Sequence, residues 1–162
     1  MILKVVSPKD KYKDNEVYER IVEYCLNPCK RKHVRYAKAY NMNLRTAAEE
    51  MKELTEYYGM MKGTRIRHMV LAFDPLTEKY IRAKDVNEIA KEACKYYRYL
   101  GYQILYAVHE DLDFIHAHIV LNTVRMTDGK KYKGDRKDYH SFQNHLRRIL
   151  REYDTTLTGT PY

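Results

Sequence analysis

No apolar run in the chain reaches the roughly 18 residues needed to cross a bilayer as a helix, so a transmembrane helix is excluded. The opening stretch, MILKVVSPKDKYK, has too short an apolar segment for a signal peptide. The expected compartment is therefore the cytoplasm, with no membrane insertion. Cysteine is scarce: Cys25, Cys29 and Cys94 are an odd number, and no second close pair exists. That excludes a disulfide framework and a four-cysteine zinc site, and the three read as free thiols. Tryptophan is missing altogether. There is no internal repeat and no low-complexity tract, and 162 residues suit one compact domain.

What is present is charge, tyrosine and histidine. Hydrophobic residues make up 44%, enough for a core and too many for global disorder. Thirty Lys and Arg against 22 Asp and Glu give a net charge of +8. The cations are clustered: Lys30, Arg31, Lys32, Arg35 and Lys38 in one group, Lys130, Lys131, Lys133, Arg136 and Lys137 in a second, Arg147, Arg148 and Arg151 in a third. Clustering points to a polyanion, because neutralised phosphates release counterions. Charge alone does not choose DNA over RNA or an acidic protein. The 17 tyrosines can stack on unpaired bases or act as phenol nucleophiles, and they also fill strands and interfaces.

Periodicity divides the chain into helices and strands. MILKVVS reads as a first strand. NEVYERIVEYCLN has Val17, Ile21 and Val22 near helical spacing, with Pro28 ending the helix and Tyr24 in its last turn. HVRYAKAY alternates as a strand, NLRTAAEEMKELTEYYG is a helix ended by Gly59, and TRIRHMVLAF is a strand stopped by Asp74-Pro75. AKDVNEIAKEACKYYRYLG is a helix with Asp85 as the expected N-cap and Gly101 beyond its end. YQILYAVH and FIHAHIVLNTV are strands joined by EDLD in a hairpin; Asp128-Gly129 makes a turn, and DYHSFQNHLRRILREYD is a last helix. Adjacent antiparallel strands imply an α+β fold, a central antiparallel sheet of about five strands with helices on its faces.

The stretch HEDLDFIHAHIVLN holds three of the seven histidines. Side chains alternate along a strand, so Ile115, Ala117, Ile119 and Leu121 share one apolar face. Phe114, His116, His118, Val120 and Asn122 share the other. A short hairpin brings His109 beside His116, so three imidazoles converge. A single strand histidine is usually a hydrogen-bonded partner; three at this spacing suit a metal such as Mn, Zn, Co or Ni, with positions left open for substrate. Asp111 or Asp113 can accept from a ligand's second nitrogen. The paired cysteines of a zinc deaminase are missing, and position 113 is Asp where a zinc protease needs His. A metal-dependent nuclease fits the basic surroundings. His68, on a strand face with Val70 and Ala72, is either a hydrogen-bonded sheet histidine or an active-site group.

The His-x-His strand resembles the HUH endonuclease superfamily, and the longer pattern resembles the MOBP-type relaxases, mobilisation nucleases of plasmids and integrative elements. In those the motif runs H-x-D-x-x-H-x-H-x-H, with Asn four residues after the last His. His109, Asp111, His116, His118 and Asn122 match it, and Phe114 departs from it. Tyr24, Asn27, Pro28 and Lys30 match the family's Y-x-x-N-P-x-K. RHMVLAFDP is similar to R-H-x-x-x-S-F-x-P, with Ala72 in place of Ser. The D-G-K-K-like turn and the closing R-E-Y follow in order, so the resemblance covers essentially residues 1–162, read as a single catalytic domain. Family members usually carry further C-terminal domains, which makes this either a catalytic fragment or a minimal form.

The resemblance implies a relaxase with a ferredoxin-like core. His109, His116 and His118 would hold a divalent metal, Mn²⁺ or Mg²⁺ or another transition metal, against a scissile phosphate. The Tyr24 phenolate would attack in line, leaving a 5′-phosphotyrosyl link and a free 3′-hydroxyl. Asp111 and His68 join the catalytic set. Lys30, Arg31, Lys32, Arg35, Lys131, Lys133, Arg136, Lys137 and Asn122 are the expected DNA contacts. The implied partners are single-stranded origin-of-transfer DNA and accessory relaxosome proteins. Rolling-circle replication initiators of the same superfamily place their tyrosine after the histidines, which makes Tyr132, Tyr139 and Tyr153 rivals, with Tyr18 a rival beside Tyr24. A non-catalytic DNA-binding module is the remaining alternative.

Overall fold

The computed structural model describes residues 1–6, 12–26, 33–111 and 114–158. The elements run β1 (Ile2–Val6), α1 (Val17–Leu26), β2 (His33–Tyr40), α2 (Ala47–Tyr57), β3 (Ile66–Phe73), α3 (Ala83–Tyr99), β4 (Tyr102–Glu110), β5 (Ile115–Arg125) and α4 (Arg136–Leu150). The five strands form one sheet, ordered β1-β3-β5-β4-β2, and every neighbouring pair is antiparallel. The expected α+β architecture is what the chain adopts. β5 lies at the centre, flanked by β3 and β4.

Local signals place the helices. In α3 the residues Val86, Ile89, Ala90, Ala93, Cys94 and Tyr97 are buried, an apolar stripe with helical spacing. One boundary differs from expectation. Asp85 is not the N-cap; Arg82 holds that position in extended conformation, and Asp85 reaches back to accept from the Arg82 N–H at 3.0 Å. A carboxylate inside the first turn satisfies the same unpaired donors and faces the same positive helix end. In α4, Asp135 is the N-cap and accepts from the Asp138 N–H at 2.9 Å. At the Asp128-Gly129 turn, Gly129 has φ of +69°, and a Cβ there would lie 2.3 Å from the Tyr58 ring, so glycine is required twice over.

The sheet separates two cores. On one face Ala117, Ile119 and Leu121 of β5 pack with Ile89 and Ala93 of α3 and with Phe142 and Leu146 of α4. On the other, Val120 of β5 packs with Leu105 and Ala107 of β4, Val17 and Ile21 of α1 and Met51 of α2. Each fully buried aliphatic side chain contributes roughly 1.5–3 kcal/mol. The strand period of two assigns alternate β5 residues to opposite cores.

Candidate active site

The hairpin register builds the histidine cluster. β4 and β5 pair with His109 directly opposite His116, and His118 follows two residues later on the same face. The ring centroids lie 5.2 Å apart for His109–His116, 4.6 Å for His109–His118 and 4.9 Å for His116–His118. One nitrogen from each ring falls within 4.8 Å of the others. His109 and His118 are buried and His116 is half-buried.

Hydrogen bonds fix two of these rings. His109 Nε2–H donates to the Cys25 carbonyl at 2.7 Å, which leaves its lone pair on Nδ1. His118 Nδ1 lies 2.8 Å from His68 Nε2, and His68 Nδ1 lies 2.9 Å from the Tyr12 hydroxyl. Burial, reinforced by His109, pushes the His68 pKa down to about 4, so that ring is neutral. Three converging imidazoles, two of them oriented through their second nitrogens, suit a divalent metal with positions open to oxygen ligands.

Asp111 does not set the His109 tautomer, because the Cys25 carbonyl occupies that nitrogen. Asp111 lines a separate recess with Asp74, Glu78 and Phe114. The exposed Phe114 thus stands apart from the three imidazoles. Asp113 lies outside the described residues.

Tyr24 occupies the last turn of α1, and its ring lies edge-on to His118 at 5.3 Å and to His68 at 6.3 Å. It is 42% exposed, so a substrate can reach it. The rival tyrosines lack this setting. Tyr18 is fully buried and donates to Thr55 Oγ1 at 2.9 Å. Tyr139 is buried among α3 and α4, and Tyr132 and Tyr153 pack against the same core, across the sheet from Tyr24. Burial also raises the Tyr132 hydroxyl pKa well above its ordinary value. The neighbouring Cys25 thiol is pushed up to about 12 by burial; with Cys94 it is a free, buried thiol, while Cys29 lies outside the described residues.

Tyr24, His68, His116 and His118 line a recess of about 480 Å³. A second recess of about 570 Å³ shares Val6 and Tyr12 with it and is lined by Lys62, Arg67, Lys131 and Lys133. Arg67 lies over the Tyr132 ring, 5.5 Å from its centroid. Of the expected DNA contacts, Lys131 and Lys133 fall in this basic recess. Lys131 is partly tied down, donating to the Met60 carbonyl at 3.2 Å. Arg136 and Lys137 are exposed on the first turn of α4, outside the recess. Arg35 sits at an irregularity of β2 and is ion-paired with Glu110. Lys30, Arg31 and Lys32 lie outside the described residues.

Asn122, an expected DNA contact, is engaged within the protein. It is fully buried; its Nδ2 donates to the Met51 carbonyl at 3.0 Å and to Gln103 Oε1 at 2.8 Å, and its Oδ1 accepts from the Val124 N–H at 3.2 Å. These bonds fasten α2 to the sheet and commit both amide protons within the protein. Two contributors escape sequence reasoning, the Cys25 carbonyl and Tyr12. A main-chain carbonyl has no residue signature, and Tyr12 meets His68 across 56 residues of chain.

Residues 24–155 match the family model for the relaxase nuclease domain, MobA/VirD2-like. Among curated relatives, one Staphylococcus aureus Protein rlx is 30% identical over 104 residues, covering 64% of this chain and 28% of the relative. Another Protein rlx from the same organism is 25% identical over 118 residues, covering 73% of this chain and 36% of the relative. The chain therefore spans about a third of the length of these relatives. A structure from work on vancomycin-resistance transfer in Staphylococcus aureus superposes with a TM-score of 0.56 at 11% identity, covering 80% of this chain and 77% of that one. The conjugative relaxase TrwC, solved metal-bound with oriT DNA, gives 0.51 at 10% identity, covering 94% and 70%. Those two likenesses concern the fold, whereas the family match runs through sequence over most of the chain and shows that it belongs to the MobA/VirD2-like relaxase nuclease domains.

Proposed function

We propose that residues 1–162 form one catalytic domain that nicks and rejoins a single DNA strand at an origin of transfer, mobilising a plasmid or integrative element. The observation that carries this reading is Tyr24, exposed and 5.3 Å from the His118 ring at the edge of a three-histidine cluster. The Tyr24 phenolate oxygen attacks the scissile phosphorus in line. The bond from phosphorus to the 3′ oxygen breaks, the 3′-hydroxyl leaves, and the 5′ phosphate stays on Tyr24. The ester is conserved, so the reverse attack by a 3′-hydroxyl rejoins the strand.

His109, His116 and His118 would hold the divalent metal, with Mn²⁺ or Mg²⁺ as the proposed ion and other transition metals as substitutes. A bound divalent ion withdraws charge from the phosphate oxygens. Cys25 and His68 keep two of the rings oriented. Lys131 and Lys133, with Arg67 beside them, would take the strand's phosphates in the basic recess, and Arg136 and Lys137 would extend that surface. On the strength of the family alone, the cytoplasm is the proposed setting and accessory relaxosome proteins the proposed partners.

Incubation with an origin oligonucleotide and Mn²⁺ tests the reading. A covalent protein–DNA adduct that disappears in Tyr24→Phe supports it. An adduct that survives in Tyr24→Phe and disappears in Tyr139→Phe or Tyr153→Phe overturns it, as does binding with no adduct.

A further inference from the structure

Tyr12, His68 and His118 form a hydrogen-bonded chain with contacts of 2.9 and 2.8 Å, ending at a ring of the proposed metal site. All three side chains are buried. Each contact has room for one proton, so the chain runs in one of two directions. In the first, the Tyr12 O–H donates to His68 Nδ1, His68 Nε2–H donates to His118 Nδ1, and His118 carries its own proton on Nε2. In the second, His118 Nδ1–H donates to His68 Nε2, His68 Nδ1–H donates to the Tyr12 oxygen, and the Tyr12 proton points elsewhere.

A metal ion discriminates between these directions. His118 Nδ1 is engaged by His68, so Nε2 is the atom left to bind an ion. A neutral imidazole that gives its Nε2 lone pair to a metal must carry its proton on Nδ1. Without an ion the first direction is preferred, because a phenol donates to an imidazole lone pair better than it accepts. We propose that metal binding reverses this chain and turns the Tyr12 hydroxyl into a donor toward a phosphate oxygen of the bound strand. The inference rests on the reading of His109, His116 and His118 as the metal site. Protons balance: each of the three groups holds one before and one after, and only the nitrogens that carry them change.

The position of Tyr12 gives the reversal a consequence. Tyr12 lines both the recess that contains Tyr24 and the basic recess with Arg67, Lys131 and Lys133. A strand passing from one to the other would cross the wall that Tyr12 helps to form. In the metal-free state that proton is committed to His68; in the metal-bound state it is available to the strand. Metal and strand therefore bind cooperatively through a side chain that touches no metal.

The experiment is a long-range ¹H–¹⁵N correlation spectrum of ¹⁵N-histidine protein, recorded with and without one equivalent of diamagnetic Zn²⁺. The expected result is coordination at His118 Nε2 together with transfer of the His68 proton from Nε2 to Nδ1. Coordination at His118 with an unchanged His68 tautomer overturns the reversal alone. No response at His109, His116 or His118 overturns the metal-site reading and the inference with it. In a second arm, Tyr12→Phe is expected to keep zinc stoichiometry and lose about tenfold in kcat/KM for strand cleavage, the worth of one hydrogen bond to a charged oxygen. An unchanged kcat/KM overturns the donor role.

Discussion

The two faces of the sheet are made by the same strands and do opposite work. The face under α3 and α4 is a continuous apolar core, with Ala117, Ile119 and Leu121 from β5 all fully buried. The face under α1 and α2 is core for only part of its length. Val120 packs there, but His116 and His118 on one side of it and Asn122 on the other are polar. Burying polar groups costs free energy that hydrogen bonds offset: His109 bonds the Cys25 carbonyl, His118 meets His68, and Asn122 bonds α2 and β4.

Substitutions on the two faces should separate chemistry from stability. Tyr24→Phe is expected to abolish the covalent adduct while changing stability by no more than about 0.5 kcal/mol, since the side chain is substantially exposed; a gel assay and denaturant melts read the two effects. His116→Ala should weaken metal binding beyond the roughly 10–100-fold that loss of a ligand's supporting bond costs, measured by calorimetry. Ile119→Ala, on the opposite face of the same strand, should do the reverse. It is expected to cost about 2–5 kcal/mol of stability and leave metal affinity unchanged in the folded protein. A metal defect in Ile119→Ala would mean that the two faces are not separable.

A smaller effect comes from proton linkage at His68. Its pKa is depressed to about 4 in the folded chain, against about 6.5 when unfolded. Between those values the unfolded chain binds more protons, so stability is full above pH 6.5 and falls as pH drops toward 4. The expected loss is about 3 kcal/mol across that window, given how deeply the ring is buried. Denaturant melts in EDTA at pH 7.5, 6.0 and 4.5 measure it, and His68→Gln should flatten the profile relative to the parent; an equal slope in both would refute the assignment. Asn122→Leu is expected to cost about 2 kcal/mol through the unpaired Met51 and Gln103 groups, with cleavage by the folded protein retained. Loss of cleavage at full stability would restore the DNA role that its burial argues against.

The smallest effects concern the cations. Lys133→Ala in the basic recess should reduce the salt dependence of single-strand binding by about 0.7 in log–log slope. Lys137→Ala, on α4, should reduce it less. Arg35→Ala should leave it near the parent value, because that side chain is already paired with Glu110.

Much of this was legible in the chain as written. The alternation in FIHAHIVLN assigns each residue to a face, and the hairpin brings His109 to His116, because both depend only on local geometry. The helices were readable for the same reason, apart from Asp85, whose carboxylate serves the helix end from inside the first turn. Residues whose roles depend on distant partners were not legible. Asn122 follows the family pattern, yet its burial and its bonds to α2 and β4 are set by helix packing.

The α+β elements, the opposed faces of β5 and the convergence of three histidines are thus short-range consequences of strand and helix periods. The docking of α1 chose among the candidate nucleophiles. Tyr24 is one of 17, and α1 lays it 5.3 Å from His118 while the rival tyrosines go to the cores. The same packing chose the Cys25 carbonyl over Asp111 and joined Tyr12 to His68. The physical reason is that a side chain's period names its face, whereas its partner depends on how separate elements dock, and docking is settled by the burial of the whole core.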